Sequence, residues 1–151
     1  ELYRKVIEVN LIGSFNIARC AAAAMARNKP DKESEKGVIV NTASIAAYDG
    51  QMGQCAYSST KGGIISMTLP MARDLASQGI RVNSIAPGVM ATPLMLGMPE
   101  NVQDGIVANI PFPKRMGEPS EFGQLVVHIV ENSYLNGETV RLDAGVRMQP
   151  R

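Results

Sequence analysis

Cysteine is scarce in this chain of 151 residues: Cys20 and Cys55 are the only two, far apart and with no Cys-x-x-Cys. That usage suits a reducing compartment and leaves no cysteine-built metal site. There is a single histidine, His128, set among Val126, Val127 and Ile129 in a helical stretch. It reads as structural rather than catalytic or metal-binding. With no histidine near it in sequence, Cys55 reads as a small buried thiol and not as a nucleophile. Glycine is plentiful at 14 residues, yet no Gly-x-Gly-x-x-Gly or Gly-x-x-x-Gly-x-Gly occurs, so no loop is available to cradle a pyrophosphate. Neither sign of charge prevails: 15 Lys and Arg face 14 Asp and Glu, for a net charge of +1. A nucleic-acid partner is therefore not expected. Apolar runs fall short of a bilayer span, which gives no expectation of a membrane partner. No signal sequence can be read, and Glu1 stands inside an apparent helix, so a longer natural N-terminus is expected. With 45% hydrophobic and 19% charged residues, the composition is that of one globular domain over residues 1–151.

What the chain does have is concentrated in Gln51–Ile65, QMGQCAYSSTKGGII. Tyr57 and Lys61 are four residues apart, which on a helix stacks their side chains on one face. An ammonium beside a phenol favours its ionised form. A free tyrosine titrates near ~10, so acid–base work at neutral pH needs help of that kind. Thirteen residues before Tyr57 stands Ser44, closing Gly37–Ser44, GVIVNTAS. Val38–Val40 reads as a short, fully buried strand, with the strand as a whole running Gly37–Ala43. A second strand, Ile80–Ala86, ends in Pro87-Gly88, with Thr92 four residues past the glycine. Ligands of open α/β sheets lie outside the carboxyl ends of the strands, which is where Ser44 and Pro87–Thr92 fall.

Ser44, Tyr57, Lys61 and the Pro87-Gly88…Thr92 segment together resemble the short-chain dehydrogenase/reductase family, and Asn10 in VNLIG matches that family's helix asparagine. The resemblance implies a Rossmann-like, doubly wound parallel α/β sheet, of which this chain supplies about three strands with flanking helices. It implies an Asn10–Ser44–Tyr57–Lys61 tetrad. Tyr57 is then the acid–base group and Ser44 the residue that holds the substrate oxygen. Lys61 and Tyr57 contact the nicotinamide ribose, and Pro87, Gly88, Met90 and Thr92 seat the ring. Gln51 faces the same crevice as a further substrate contact. Asn10 holds a relay water by its backbone. The family's Asn-Asn-Ala-Gly is missing along with the glycine-rich loop, so the resemblance covers only the C-terminal part of the family's domain. About a hundred further residues are then expected on the N-terminal side.

In chain order, Glu1–Arg27 has a helical period and is apolar on more than one face, as a helix covering a sheet and meeting another subunit would be. Asn28–Lys36 is a charged surface loop. A helix from about Gln54 to Gln78 carries the Tyr–Lys pair, and Pro70 should kink it or mark irregularity. Gly62-Gly63 suggests close backbone packing on the sheet or across a subunit interface. Strand, helix, strand makes a βαβ unit. Leu94–Ile110 reads either as a mobile lid with soft methionines inside, or as an ordinary amphipathic helix. Pro119 starts a helix ending near Glu131, and Glu138–Leu142 is the last strand.

The tail, with IPFPKRMG at Ile110–Gly117, YLNG at Tyr134–Gly137 and VRLDAGVRMQ at Val140–Gln149, is similar to the type II 3-hydroxyacyl-CoA dehydrogenase branch, also described as a 17β-hydroxysteroid dehydrogenase. The 3-oxoacyl-carrier-protein reductases instead carry Asp-Met where this chain has Pro93-Leu94, and Asp-Gly-Gly where it has Asp143-Ala144-Gly145. The resemblance thus implies NAD as cofactor, with NADP not excluded. It further implies an acyl-CoA or other alcohol or ketone as substrate, a homotetramer, and a cytoplasmic or mitochondrial-matrix location. Alternatives left open are a carrier-protein or hydroxysteroid reductase and a non-catalytic scaffold subunit.

Overall fold

The computed structural model describes all 151 residues, Glu1–Arg151. Three parallel strands form one sheet in the order β1 (Gly37–Thr42), β2 (Ile80–Pro87), β3 (Thr139–Leu142). Gly37 pairs with Ile80 and Thr42 with Ile85; Ser84 pairs with Thr139 and Pro87 with Leu142. Around the sheet lie α1 (Leu2–Met25, a π turn at Ile7–Ile12 within it), α2 (Cys55–Leu75), α3 (Pro93–Leu96), α4 (Glu100–Ala108) and α5 (Pro119–Glu131).

Side chains of β2 alternate between the two faces of the sheet. Ile80 and Val82, with Ile39 of β1, meet Ala18 and Ala22 of α1 and Met71 and Ala72 of α2. Ala86, Ala43 and Ile64 extend this layer toward the carboxyl ends of the strands. On the other face Arg81 is buried, pairing with Glu35 and donating to the carbonyls of Ile129, Val130, Asn132 and Leu135. That cation binds the Ile129 and Val130 carbonyls in the last turn of α5, which a helix leaves without partners. Asn83 donates to the Leu135 carbonyl and accepts from the Glu138 amide, so the buried polar groups on this face are satisfied. Helices therefore cover both faces, the doubly wound arrangement.

Two local features match their chemistry. Glu118 and Glu121 cap the first turn of α5 reciprocally, with Pro119 opening the helix. Gly79 is left-handed at φ 69°, and a β-carbon there would come within 2.3 Å of the Ser34 carbonyl, so only glycine fits between α2 and β2.

Several expectations need correction. Val38–Val40 buries only Ile39, because β1 is an edge strand whose outer side pairs with nothing in this chain. Helix α2 runs unbroken through Pro70. Pro70 and Ser66, whose carbonyl loses its donor, both face solvent, where water can serve instead. Cys55 is exposed rather than buried, since it opens α2 on its outer side. Finally, α1 at 24 residues is long and apolar enough by length and composition to cross a bilayer, contrary to the reading of short apolar runs. Only two of its residues, Ala18 and Ala22, are fully buried, while Leu2, Val9, Ile12, Phe15 and Ile17 face outward.

Candidate active site

Tyr57 and Lys61 sit in the first two turns of α2, with the Lys61 ammonium 5.7 Å from the Tyr57 ring centroid. Lys61 Nζ donates to the Thr42 carbonyl at 2.8 Å, which fastens this turn to the carboxyl end of β1. An ammonium has three donors, so two remain for a ligand. Burial pulls the Lys61 pKa below the ordinary lysine value. Thr60, fully buried, donates its hydroxyl to the Tyr57 carbonyl at 2.7 Å and steadies the turn that presents the phenol. Tyr57 itself is 38% exposed, open to an incoming ligand.

Ser44 lies two residues beyond Thr42 and caps a short 3-10 turn, Ile45–Ala47. Its oxygen accepts from the Ala46 amide at 3.1 Å, which leaves its O–H to donate elsewhere. Ser44, Tyr57 and Lys61 thus gather at the end of one strand.

Asn10 lies in the π turn of α1, a distortion frequent at functional sites. The neighbouring Leu11 packs on Gly63, two residues past Lys61; a β-carbon at Gly63 would approach its side chain to 2.8 Å. Gly62 meets nothing within 4 Å. The Asn10 carbonyl, expected to hold a relay water, already accepts from the Ser14 hydroxyl at 2.6 Å, which uses one of its two lone pairs.

At the end of β2 the chain turns sharply. A β-carbon on Gly88 would come within 2.9 Å of the Asp143 Cα, so backbone meets backbone there. Gly88 donates to the Leu142 carbonyl, and Met90 bridges to Gly117. Thr92 precedes Pro93 and α3, and its hydroxyl makes no capping bond. Pro87, Gly88, Met90 and Thr92 therefore occupy the same carboxyl edge of the sheet as the Ser44 cluster. A cleft of 170 Å³ lies beside this turn, lined by Val89, Met90, Ile110, Arg115 and Leu142 among others, but Ser44, Tyr57 and Lys61 do not line it.

The side chain of Gln51 points along the protein's own tail: its amide donates to the Gln149 carbonyl at 2.9 Å. Residues Leu94–Ile110 form α3 and α4, with Leu94 and Leu96 outward and Ile110 buried. His128 is exposed on α5, its Nε2 3.5 Å from the Asn132 amide nitrogen. The Thr42 carbonyl is a participant that sequence reading missed, and being backbone it leaves no residue signal.

The residues present fit the nicotinamide–ribose end of a dinucleotide. Lys61 has free donors, Thr92 a free hydroxyl, and the Gly88 turn admits no β-carbon. No glycine-rich loop is present for the pyrophosphate.

Residues 1–147 match the family model described as enoyl-(acyl carrier protein) reductase. The bovine 3-hydroxyacyl-CoA dehydrogenase type-2 is 55% identical over 150 residues, covering 99% of this chain and 58% of that protein. A crystal structure of 3-hydroxyacyl-CoA dehydrogenase type-2 from Mycobacterium avium superposes with a TM-score of 0.96 at 48% identity, over 99% of this chain and 58% of that one. A 3-oxoacyl-[acyl-carrier protein] reductase from Brucella melitensis gives 0.82 at 34% identity, over 97% and 53%. The chain spans 58% of the length of the type-2 relatives it matches.

Proposed function

The chain belongs to the short-chain dehydrogenase/reductase family, and from that premise we propose that it carries the chemistry of a nicotinamide-dependent oxidoreductase interconverting 3-hydroxyacyl-CoA and 3-oxoacyl-CoA. The observation that carries the reading is the cluster at the end of β1: Tyr57 and Lys61 one turn apart, Lys61 tied to Thr42, and Ser44 two residues on. The 55% identity to the bovine type-2 dehydrogenase, against 34% to the carrier-protein reductase, favours the acyl-CoA substrate.

Tyr57 exchanges a proton with the substrate oxygen, taking it from the alcohol or giving it to the ketone. Lys61 holds the cofactor's ribose hydroxyls with the two donors that Thr42 leaves free. Ser44 donates its free O–H to the substrate oxygen, where charge develops. Asn10 offers the second lone pair of its carbonyl to a relay water leading from Lys61 to solvent. Pro87, Gly88, Met90 and Thr92 orient the ring, and Gln51 contacts substrate once turned from Gln149. When bound, the nicotinamide cofactor, NAD on this proposal, would supply or accept the hydride.

Residues 1–151 act, on this reading, as the catalytic part of one larger domain. The unpaired outer edge of β1 supports it, as does the buried Asn41 amide nitrogen, which has no partner. A homotetramer is supported by the outward Leu2, Val9, Phe15 and Ile17 of α1. An intracellular site, cytoplasm or mitochondrial matrix, is supported by the two free, exposed thiols. Turnover of the full-length protein on 3-oxoacyl-CoA, carrier-protein thioesters and ketosteroids, each with NADH and NADPH, tests the assignment. Preference for a non-thioester ketone overturns it.

A further inference from the structure

Arg141, third residue of β3, is remote from Ser44, Tyr57 and Lys61 in sequence, yet it holds the loop between them. Its Nη2 donates to Asp49 Oδ2 at 2.7 Å and its Nε to Asp143 Oδ2 at 2.7 Å. Nη2 also donates to the Val146 carbonyl at 3.2 Å, and the guanidinium lies 4.9 Å from the Tyr48 ring centroid. The site is half closed: side chains of Arg141, Asp49 and Asp143 are 21%, 16% and 8% exposed.

Each partner leads to one side of the candidate active site. Tyr48 and Asp49 belong to the loop running from Ser44 to Tyr57. Asp143 is the residue whose backbone meets Gly88, where no β-carbon fits. Asp143 also accepts from the Gly145 amide at 3.1 Å, so its turn is itself held. The other anchors of the 48–54 loop come from the same end of the chain, with Gln51 on Gln149 and the Met52 amide on the Pro150 carbonyl.

We propose that Arg141 is a positioning residue, which fixes the substrate-side loop carrying Tyr48 and Asp49 to the cofactor-side turn at Gly88 through Asp143. It rests on the dehydrogenase reading for its consequence in catalysis. A planar guanidinium can hold two carboxylates along different edges at once, and a lysine ammonium cannot reproduce that fork. Arg147, the other cation on Asp143, is 62% exposed on its side chain and makes no bond to Asp49, so it does not replace the clamp.

The test compares Arg141→Gln, Arg141→Lys and the milder Asp49→Asn in the full-length protein, by steady-state kinetics and by hydrogen exchange. Displacements of about 1 Å can cost ~10²-fold in rate, so kcat is expected to fall roughly ten- to a hundredfold in Arg141→Gln, with substrate KM changed less. Lysine is not expected to rescue it. The double variant Asp49→Asn/Arg141→Gln should be no slower than Arg141→Gln alone. Exchange should quicken at both 45–54 and 88–92 while the strands stay protected. Wild-type kcat in the folded variants overturns the proposal, as does exchange unchanged in either segment. If the wild-type protein turns over no ketone or alcohol, the dehydrogenase reading falls, and exchange in the two segments alone decides whether Arg141 couples them.

Discussion

Lys61 donates its ammonium to the carbonyl of Thr42 at 2.8 Å, joining the helix that carries Tyr57 to the strand that ends at Ser44. The same lysine is partly withdrawn from water, and its pKa lies below the ordinary value for that reason. Folding therefore disfavours the charged form. That cost is present while the pH is below the folded-state pKa, and it fades as pH rises toward 10.5, the unfolded value. Lys61→Met should accordingly lose turnover by about 10²-fold or more without lowering the thermal midpoint at pH 7. Wild-type turnover in Lys61→Met, measured by steady-state kinetics, contradicts a functional role for this half-buried ammonium.

Asp49 has the opposite sign. The hydrogen bond from Arg141 holds its carboxyl below 3.8, against some loss from burial. Its contribution to stability is fully present above the unfolded value and is lost as pH falls through the folded one. The stability difference between wild type and Asp49→Asn should be constant from about pH 5 to 8 and shrink below about pH 4. Denaturant titrations at pH 7, 5 and 3.5 check this.

Arg81 anchors the far face of the sheet. Arg81→Ala leaves Glu35 and the carbonyls of Ile129 and Val130 without their donor in a closed site, an effect expected to cost about 3–5 kcal/mol. Urea unfolding measures it, and a cost below about 1 kcal/mol would remove Arg81 from the account of the fold.

Gly88 and Gly62 should part company. Gly88→Ala drives a β-carbon into the Asp143 backbone and is expected to cost about 1–3 kcal/mol, with turnover impaired. Gly62→Ala meets no atom of its own chain and replaces a poor helix former, for a gain of up to about 1 kcal/mol. Thermal midpoints of the two variants give the comparison.

The sequence shows those elements whose signals are local. The i, i+4 spacing of Tyr57 and Lys61 lies on a helix, as the periodicity indicates, and α5 begins at Pro119 and ends at Glu131 as its caps foretell. Three parallel strands appear where the apolar runs lie. Less legible are features made by distant partners. Nothing near Arg141 announces Asp49, which lies 92 residues away. The π turn at Asn10 arises inside an uninterrupted helical period. Val38 and Val40 read as buried because composition cannot tell a central strand from an edge strand, and Cys55 because a helix face has no outward marker at its first residue.

If Tyr57 is the acid–base group of a nicotinamide-dependent dehydrogenase, Tyr57→Phe in the full-length protein removes the group that moves the proton. The substitution removes one oxygen and keeps the ring beside Lys61. Turnover of 3-oxoacyl-CoA is predicted to fall by about 10²–10⁴-fold, with NADH binding retained when titrated by fluorescence. Turnover at the wild-type rate with the phenylalanine in place would contradict the account.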